Sequence, residues 1–73
     1  MMSEQEKQIV LHFANNMRLL REARGWSQEK LAEYSNLHRT YIGAIERAEK
    51  TPSLITVIKI ANALNVNVSQ LLD

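Results

Sequence analysis

The chain has 73 residues, a length that allows one small domain spanning residues 1–73. It contains no cysteine, which excludes disulfides, zinc–thiolate sites and thiol nucleophiles. Because the amino terminus is polar and acidic and no long apolar run occurs, the sequence predicts a cytoplasmic protein without an export signal or a membrane span. The net charge is only +1, although seven of the nine basic residues lie between residues 18 and 50, so charge alone does not indicate a nucleic acid partner.

Helices account for the pattern of apolar residues. Two glycines and one proline leave few positions for tight turns, which favours an all-α fold over a sheet. Ser3 and Glu6 can form a capping box at the start of the first helix, and Ser27 is a suitable N-cap for the second. Pro52 suits the start of the fourth, where either Ser53 or Thr51 can be the cap. The five predicted helices span about residues 3–25, 28–35, 39–48, 53–65 and 67–72.

The third predicted helix has an unusual outer face. At about 100° per residue, Tyr41, Ile42 and Ile45 share one side of this helix. The other side carries Arg39, Thr40, Gly43, Ala44 and Arg47. A basic face with little bulk suits close approach to the major groove of DNA, which admits one α-helix. The same pattern also fits an ordinary amphipathic helix with a solvated, charged side.

The second and third helices together predict a helix-turn-helix unit at about residues 28–48. Only a short turn separates them, and Asn36 tolerates the left-handed backbone that a sharp turn requires. Ala32 is small enough to lie where the two helices cross, and Leu37 can fill the space beneath the turn. The unit is therefore a candidate for reading DNA.

Several strings in the chain resemble the phage-repressor-like (Cro/C1, XRE-type) helix-turn-helix family. They are Gly25-Trp26-Ser27-Gln28-Glu29-Lys30-Leu31-Ala32, Tyr41-Ile42, Ile45-Glu46-Arg47, Pro52-Ser53-Leu54 and Ala61-Asn62-Ala63-Leu64-Asn65-Val66. The string Leu37-His38-Arg39-Thr40-Tyr41-Ile42-Gly43 is similar to the controller proteins of restriction–modification systems. The resemblance implies a five-helix, lambda-repressor-like domain that acts as a homodimeric regulator of transcription on a near-palindromic operator in double-stranded DNA. It implies no cofactor, metal or small-molecule ligand, and regulation through protein concentration, operator arrangement and contacts with RNA polymerase.

The resemblance also implies roles for individual positions. Residues 28–35 match the positioning helix and residues 39–48 the recognition helix. The base-contacting positions are Arg39, Thr40, Tyr41 and Ala44. The positions that contact the DNA backbone are Ser27, Gln28, Arg47, Lys50 and Thr51. Arg21 and Glu46 match a pair that is often an internal salt bridge in the family, and the helical wheel agrees because Glu46 borders the inward side and needs a partner.

The carboxyl-terminal region, at about residues 54–72, is the candidate dimerisation region. Its apolar residues are more than a chain of this length can easily cover. They are Ile55, Val66, Val68, Leu71 and Leu72. We expect them to share two roles, closing the core and forming a two-fold interface.

The chain departs from the family pattern in four places. Asn36 and Asn65 replace glycines, which the backbone tolerance of asparagine allows. Ala48 and Glu49 stand where glycine and a small or basic residue are common. The first dozen residues extend beyond the usual start of the family, and no role is assigned to them.

Two other function classes compete with DNA recognition. A protein-interaction module of the same fold, such as an antitoxin-like relative, is favoured by the low net charge. An enzyme is disfavoured because no nucleophile–base pair or phosphate loop is visible, and His12 and His38 have no third ligand at metal spacing. The sequence does not separate a restriction–modification controller from a prophage repressor, nor an activator from a repressor.

Overall fold

The computed structural model describes residues 1–73 and contains five α-helices and no strands. The helices are α1 (Glu4–Ala23), α2 (Gln28–Ser35), α3 (Arg39–Glu46), α4 (Leu54–Leu64) and α5 (Val68–Leu72). The molecule measures 32 × 23 × 20 Å. The prediction of an all-α, five-helix domain is confirmed.

Side chains at the helix starts satisfy backbone N–H groups that have no partner within the helix. The Ser3 hydroxyl accepts from the Glu6 N–H at 3.1 Å, and Glu6 Oε1 accepts from the Ser3 N–H at 2.7 Å. The bond from the Ser3 N–H to the charged carboxylate, together with the nearby Ser3 side chain, lowers the pKa of Glu6. Ser27 and Ser53 cap α2 and α4, each accepting from the N–H three residues later. The predicted capping residues therefore define these three helix starts.

Four helices end on a residue with a left-handed backbone: Gly25, Asn36, Ala48 and Asn65. At each of these ends, two N–H groups donate to carbonyl oxygens of the last helical turn, which prevents the helix from continuing. The prediction for Asn36 is confirmed, with φ at 56° and ψ at 42°. The predicted end of α3 at Ala48 is wrong, since α3 ends at Glu46 and Ala48 takes the left-handed conformation with φ at 58°.

The left-handed backbone of Ala48 yields a stability prediction. Alanine has neither the freedom of glycine nor the polar side chain of asparagine, so this conformation is strained by about 1–2 kcal/mol. We expect Ala48→Gly to raise the free energy of unfolding by about 0.5–1 kcal/mol, because the relief of this strain outweighs the greater entropy that glycine gives the unfolded chain. Urea unfolding measures the effect. The control Ala63→Gly, within α4, should instead lower stability by about 1 kcal/mol. If the Ala48→Gly protein is only as stable as the parent, the backbone of Ala48 is not strained.

The hydrophobic core lies between α1 and the other helices. α1 packs against α3, α4 and α5, while α2 packs against α3 and α4. Ala32 is buried within this core, and Trp26 and Leu37 lie partly buried against it. The large side chains that are fully buried are Met17, Leu31, Ile42, Ile45, Ile60, Leu64 and Leu71. Because every helix contributes to one core, α2 and α3 are held in a fixed relative orientation.

The last helix is fixed against α1 by hydrogen bonds as well as by its core residue. Asn16 Nδ2 donates to the carbonyl oxygens of Leu71 and Asp73, at 3.0 Å each, and His12 Nε2 lies 2.6 Å from the Asp73 carbonyl oxygen. The Leu71 side chain is fully buried in the core of its own protomer. The predicted interface role of Leu71 is therefore corrected to a core role. Val66 and Val68 are half-buried and pack against the same core.

Candidate nucleic-acid interface

The turn between α2 and α3 presents the start of α3 to solvent. Only residues 36–38 separate the two helices. Leu37 is half-buried against the core, as expected for a residue beneath the turn. His38 is the N-cap of α3, and its Nδ1 accepts from the Thr40 N–H at 3.0 Å. The anchored turn leaves Arg39 and Thr40 exposed at the first turn of α3.

The predicted base-contacting residues differ in exposure. The Arg39 side chain is 65% exposed and Thr40 is also exposed. Tyr41 is half-buried and packs against the core, so only part of its ring faces outward. Ala44 is buried, with 9% of its surface exposed. Since so little of its methyl group is accessible, the expected base contact of Ala44 is withdrawn, and Arg39 and Thr40 are the principal candidates.

A polar network behind α3 joins three elements of the fold. Arg21 donates through Nε to Glu46 Oε2 at 2.7 Å and through Nη2 to Glu46 Oε1 at 2.9 Å. Arg21 Nη1 also donates to the Trp26 carbonyl oxygen at 2.7 Å. Gln28 Nε2 donates to Glu46 Oε1 at 3.1 Å, so the first residue of α2 is bonded to the last residue of α3. The ion pair that the family resemblance implies is present, and it braces α3 against α1 and α2.

The Arg21–Glu46 ion pair is buried and bidentate. The side chains of Arg21 and Glu46 are only 11% and 3% exposed, and their two parallel bonds match the fork of the guanidinium to the carboxylate. The hydrogen bond to Glu46 raises the pKa of Arg21 above its usual value. The guanidinium and the carboxylate therefore satisfy each other's hydrogen-bonding groups in the protein interior.

The sequence suggested that Gly43 helps to form a face with little bulk that can approach DNA closely, but in the structure this glycine makes room for two side chains. A Cβ placed on Gly43 would lie 3.0 Å from Arg47 Nη1 and 3.3 Å from Gln28 Oε1. The helix surface at Gly43 is therefore covered by these two side chains and is not an open, smooth face. Glycine at this position allows Arg47 and Gln28 to lie close to the α3 backbone.

The segment after α3 carries the remaining predicted DNA backbone contacts. Lys50 and Thr51 are exposed, and the Thr51 hydroxyl contacts Met2 Sδ at 3.7 Å. Arg47 is exposed and donates through Nε and Nη2 to the Glu49 carboxylate at 3.0 and 3.1 Å. These bonds raise the pKa of Arg47 and lower the pKa of Glu49. Ser27 is exposed and Gln28 is half-buried at the start of α2.

A second surface feature is apolar and lies on α4 and beside it. Leu54, Ile55 and Ile58 are 72%, 63% and 40% exposed. Ile9 and Leu72 are 56% and 50% exposed and line a groove of about 140 Å³, with Val10, Phe13, Thr51, Pro52 and Val57. We refer to Ile9, Leu54, Ile55, Ile58 and Leu72 as the apolar patch.

The apolar patch agrees only in part with the sequence-based expectation. Of the five predicted interface residues, Ile55 and Leu72 are exposed, whereas Val66 and Val68 are half-buried and Leu71 is buried. Leu54, Ile58 and Ile9 are exposed as well, although they were not among the predicted interface residues. The sequence signal for an exposed apolar surface was that α4 carries apolar residues on both of its faces.

The structure contains no group of histidine and acidic side chains arranged to hold a metal ion. No helix combines the length and the apolar character needed to cross a membrane. The geometry provides an exposed helix start with one arginine and one hydroxyl, a braced pair of helices, and a separate apolar patch.

Comparison with known proteins identifies the family. Residues 17–71 match the model of the helix-turn-helix family HTH_3. The chain belongs to this family. The match includes all of α2, α3, α4 and the buried ion pair, so the HTH_3 pattern covers the features described above.

Related helix-turn-helix proteins include several controllers. The chain is 52% identical over 59 residues to control protein C.SmaI of Serratia marcescens, covering 81% of this chain and 70% of that protein. It is 46% identical over 66 residues to control protein C.BamHI of Bacillus amyloliquefaciens, covering 89% and 82%. The crystal structure of the restriction-modification controller protein C.AhdI from Aeromonas hydrophila matches with a TM-score of 0.83 and 40% identity, over 85% of this chain and 94% of that one. These HTH_3 relatives support a DNA-binding transcriptional regulator.

Proposed function

We propose that this protein is a homodimeric, sequence-specific regulator of transcription that binds a near-palindromic operator and serves as a restriction–modification controller in the cytoplasm. The observation that carries the proposal is the exposed start of α3, where Arg39 and Thr40 project from a helix braced by Arg21, Glu46 and Gln28. The similarity to C.SmaI, C.BamHI and C.AhdI supports the controller assignment.

Base recognition would be concentrated at the first turn of α3. The major groove is about 12 Å wide and accepts one helix, and an arginine can bind O6 and N7 of guanine with two parallel hydrogen bonds. Arg39 supplies the guanidinium, Thr40 supplies a hydroxyl that can donate or accept, and the exposed part of Tyr41 can contact a thymine methyl group. The braced backbone limits the entropy lost when these side chains bind.

Contacts with phosphate would fix the position of α3 in the groove. Ser27 and Gln28 lie at the start of α2, where the helix dipole favours an anion. Arg47, Lys50 and Thr51 lie on the other side of α3 along the chain. Such contacts carry no sequence information, but they set the register of the protein on the duplex and make its affinity depend on salt.

A second copy of the chain on the apolar patch would complete the reading unit. Two recognition helices about 34 Å apart can enter successive major grooves on one side of B-form DNA. An operator of two related half-sites matches the two-fold symmetry of such a dimer. An occupied operator can exclude RNA polymerase or recruit it by direct contact, and either effect regulates the neighbouring gene.

A charge placed on the apolar patch should disrupt the proposed dimer. We expect Ile55→Glu to yield a folded monomer, because Ile55 is 63% exposed and its loss removes no core contact. Operator affinity should fall at least about tenfold, since the two half-sites are then bound independently. Analytical ultracentrifugation measures the oligomeric state, and an equilibrium titration measures the affinity.

The matched control for Ile55→Glu is Leu19→Glu on α1. Leu19 is 52% exposed and lies outside the apolar patch, so this variant should remain a dimer with parental affinity. An Ile55→Glu protein that stays dimeric, or a Leu19→Glu protein that dissociates equally, would place the interface elsewhere.

Titration with random-sequence duplex DNA tests whether the protein binds DNA or is instead a protein-interaction module of the same fold. The parent should bind with an affinity that falls steeply as salt rises, because each phosphate contact releases a counterion. A module that uses this fold only to bind another protein should show no salt-dependent binding to DNA. That result would overturn the proposed function.

A further inference from the structure

The arginine at the start of the recognition helix is held by an acidic residue of the positioning helix. Arg39 Nη1 lies 3.3 Å from Glu29 Oε1, and the two side chains are 65% and 72% exposed. Glu29 is the second residue of α2, whose start is fixed by the Ser27 cap and by the bond from Gln28 to Glu46. Glu29 therefore extends from a braced element of the fold.

The contact leaves the reading edge of Arg39 free. Glu29 engages only Nη1, whereas the Nε–Nη2 edge of the guanidinium has no partner in the structure. This edge presents two parallel N–H groups, the geometry that matches O6 and N7 of guanine. Arg39 can therefore bind a guanine without first releasing Glu29.

The other acid-paired arginine on this surface has the opposite arrangement. Glu49 accepts from both Nε and Nη2 of Arg47, at 3.0 and 3.1 Å, so it occupies the edge that a phosphate would use. Arg47 must break this pair before it can bind the DNA backbone with that edge. Glu29 and Glu49 carry the same charge, but Glu29 leaves the reading edge of its arginine available and Glu49 occupies that of its own.

We propose that Glu29 is a positioning residue that determines base specificity by holding the Arg39 guanidinium in the orientation that reads guanine. The proposal rests on the proposed function, because it requires Arg39 to contact a base. A long exposed arginine samples many rotamers and can also reach a phosphate, which binds every sequence alike. Attachment to Glu29 reduces the number of rotamers that Arg39 samples and keeps its guanidinium away from phosphate. The preference for one base pair in each half-site rises as a result.

The experiment compares Glu29→Gln with Glu49→Gln, two substitutions that each remove one negative charge and preserve the size of the side chain. The probes are an operator selected by the parent from a random duplex library, its three single-base variants at the base pair read by Arg39, and random duplex DNA. For Glu29→Gln we expect the preference for the selected base to fall about two- to fivefold, the range of an exposed ion pair, while affinity for random DNA stays the same or rises.

The Glu49→Gln protein should behave differently. Its affinity for the operator and for random DNA should rise by the same factor, leaving base preference unchanged, because Arg47 is released toward phosphate. The double variant Glu29→Gln with Arg39→Ala should show the base preference of Arg39→Ala alone. Both glutamates are exposed, so thermal unfolding should show all variants folded.

Each outcome of these titrations decides the proposal. Loss of base preference in Glu29→Gln but not in Glu49→Gln supports it. Parental base preference in Glu29→Gln, or a further loss caused by Glu29→Gln when Arg39 is already alanine, overturns it. If the parent selects no sequence, the proposed function fails and this proposal fails with it. If the parent selects an operator that Arg39→Ala reads less well and Glu29→Gln reads equally well, only the role of Glu29 is refuted.

Discussion

Replacing Arg39 by alanine should remove the preference for one base pair in each half-site of the operator. The expected loss is about 1–3 kcal/mol of discrimination per half-site, because a bidentate arginine–guanine contact has no substitute in alanine. The fold should be unaffected, since the Arg39 side chain is 65% exposed. Binding titrations against the operator and its single-base variants measure the loss.

Lys50→Ala provides the matched comparison for Arg39→Ala. Lys50 is also exposed and basic, but it lies on the segment proposed to contact phosphate. Its removal should weaken binding to all sequences equally and should reduce the slope of log affinity against log salt by about 0.9 per subunit. An Arg39→Ala protein with the sequence preference of the parent, or a Lys50→Ala protein with altered base preference, would contradict the division of roles.

Replacing Arg21 by methionine should cause the largest loss of stability of any single charge removal in this protein. The substitution leaves the Glu46 carboxylate, whose side chain is 3% exposed, without its cationic partner and with only the bond from Gln28. Breaking a buried ion pair in this way costs about 3–5 kcal/mol. A small domain has few kcal/mol in reserve, so the variant should be partly unfolded at room temperature. Urea unfolding monitored by circular dichroism measures the change.

Two further variants isolate the ion pair as the cause. Arg18→Met removes an exposed arginine from the same helix, where its only side-chain bond is to Asn15, and should change stability by less than about 0.5 kcal/mol. The double variant Arg21→Met with Glu46→Leu replaces the ion pair by an apolar contact and should recover most of the lost stability. An Arg21→Met protein as stable as Arg18→Met would show that the buried pair does not support the fold.

The helices could be predicted from the sequence because their limits depend on local chemistry. Ser3, Ser27 and Ser53 accept bonds from neighbouring N–H groups, and Asn36 adopts a left-handed backbone without help from distant residues. The end of α3 was misplaced because Ala48 has no intrinsic preference for the left-handed region. The C-terminal hydrogen bonds from residues 48 and 49 to the last turn of α3 impose that conformation.

Burial was harder to predict because it depends on how the helices pack. Leu71 and Leu72 are adjacent and equally apolar, yet the first is fully buried and the second is 50% exposed. On α4, Ile60 and Leu64 are fully buried in the core, whereas Leu54 and Ile58 are exposed. A helix that is apolar around most of its circumference gives no internal signal of which side faces the core.

The position of the candidate site and its Arg21–Glu46 ion pair could be predicted from the sequence, but its other polar contacts could not. Arg39 and Thr40 are exposed at the helix start, where the family resemblance placed the reading residues. The pairing of Arg39 with Glu29 joins residues ten positions apart on different helices, and no periodicity in the sequence reports it. The cover that Gln28 forms over Gly43 likewise depends on how α2 packs against α3.

Selection of duplexes from a random library, followed by hydroxyl-radical footprinting, tests most directly whether two copies of α3 enter DNA together. The selected sequences should contain two inverted half-sites whose centres are about 34 Å apart, with protection on one side of the duplex. Selection with the Arg39→Ala protein should lose the base preference at one position in each half-site. Recovery of no common sequence, or of a single unrepeated half-site protected by one protomer, would contradict the dimeric reading unit.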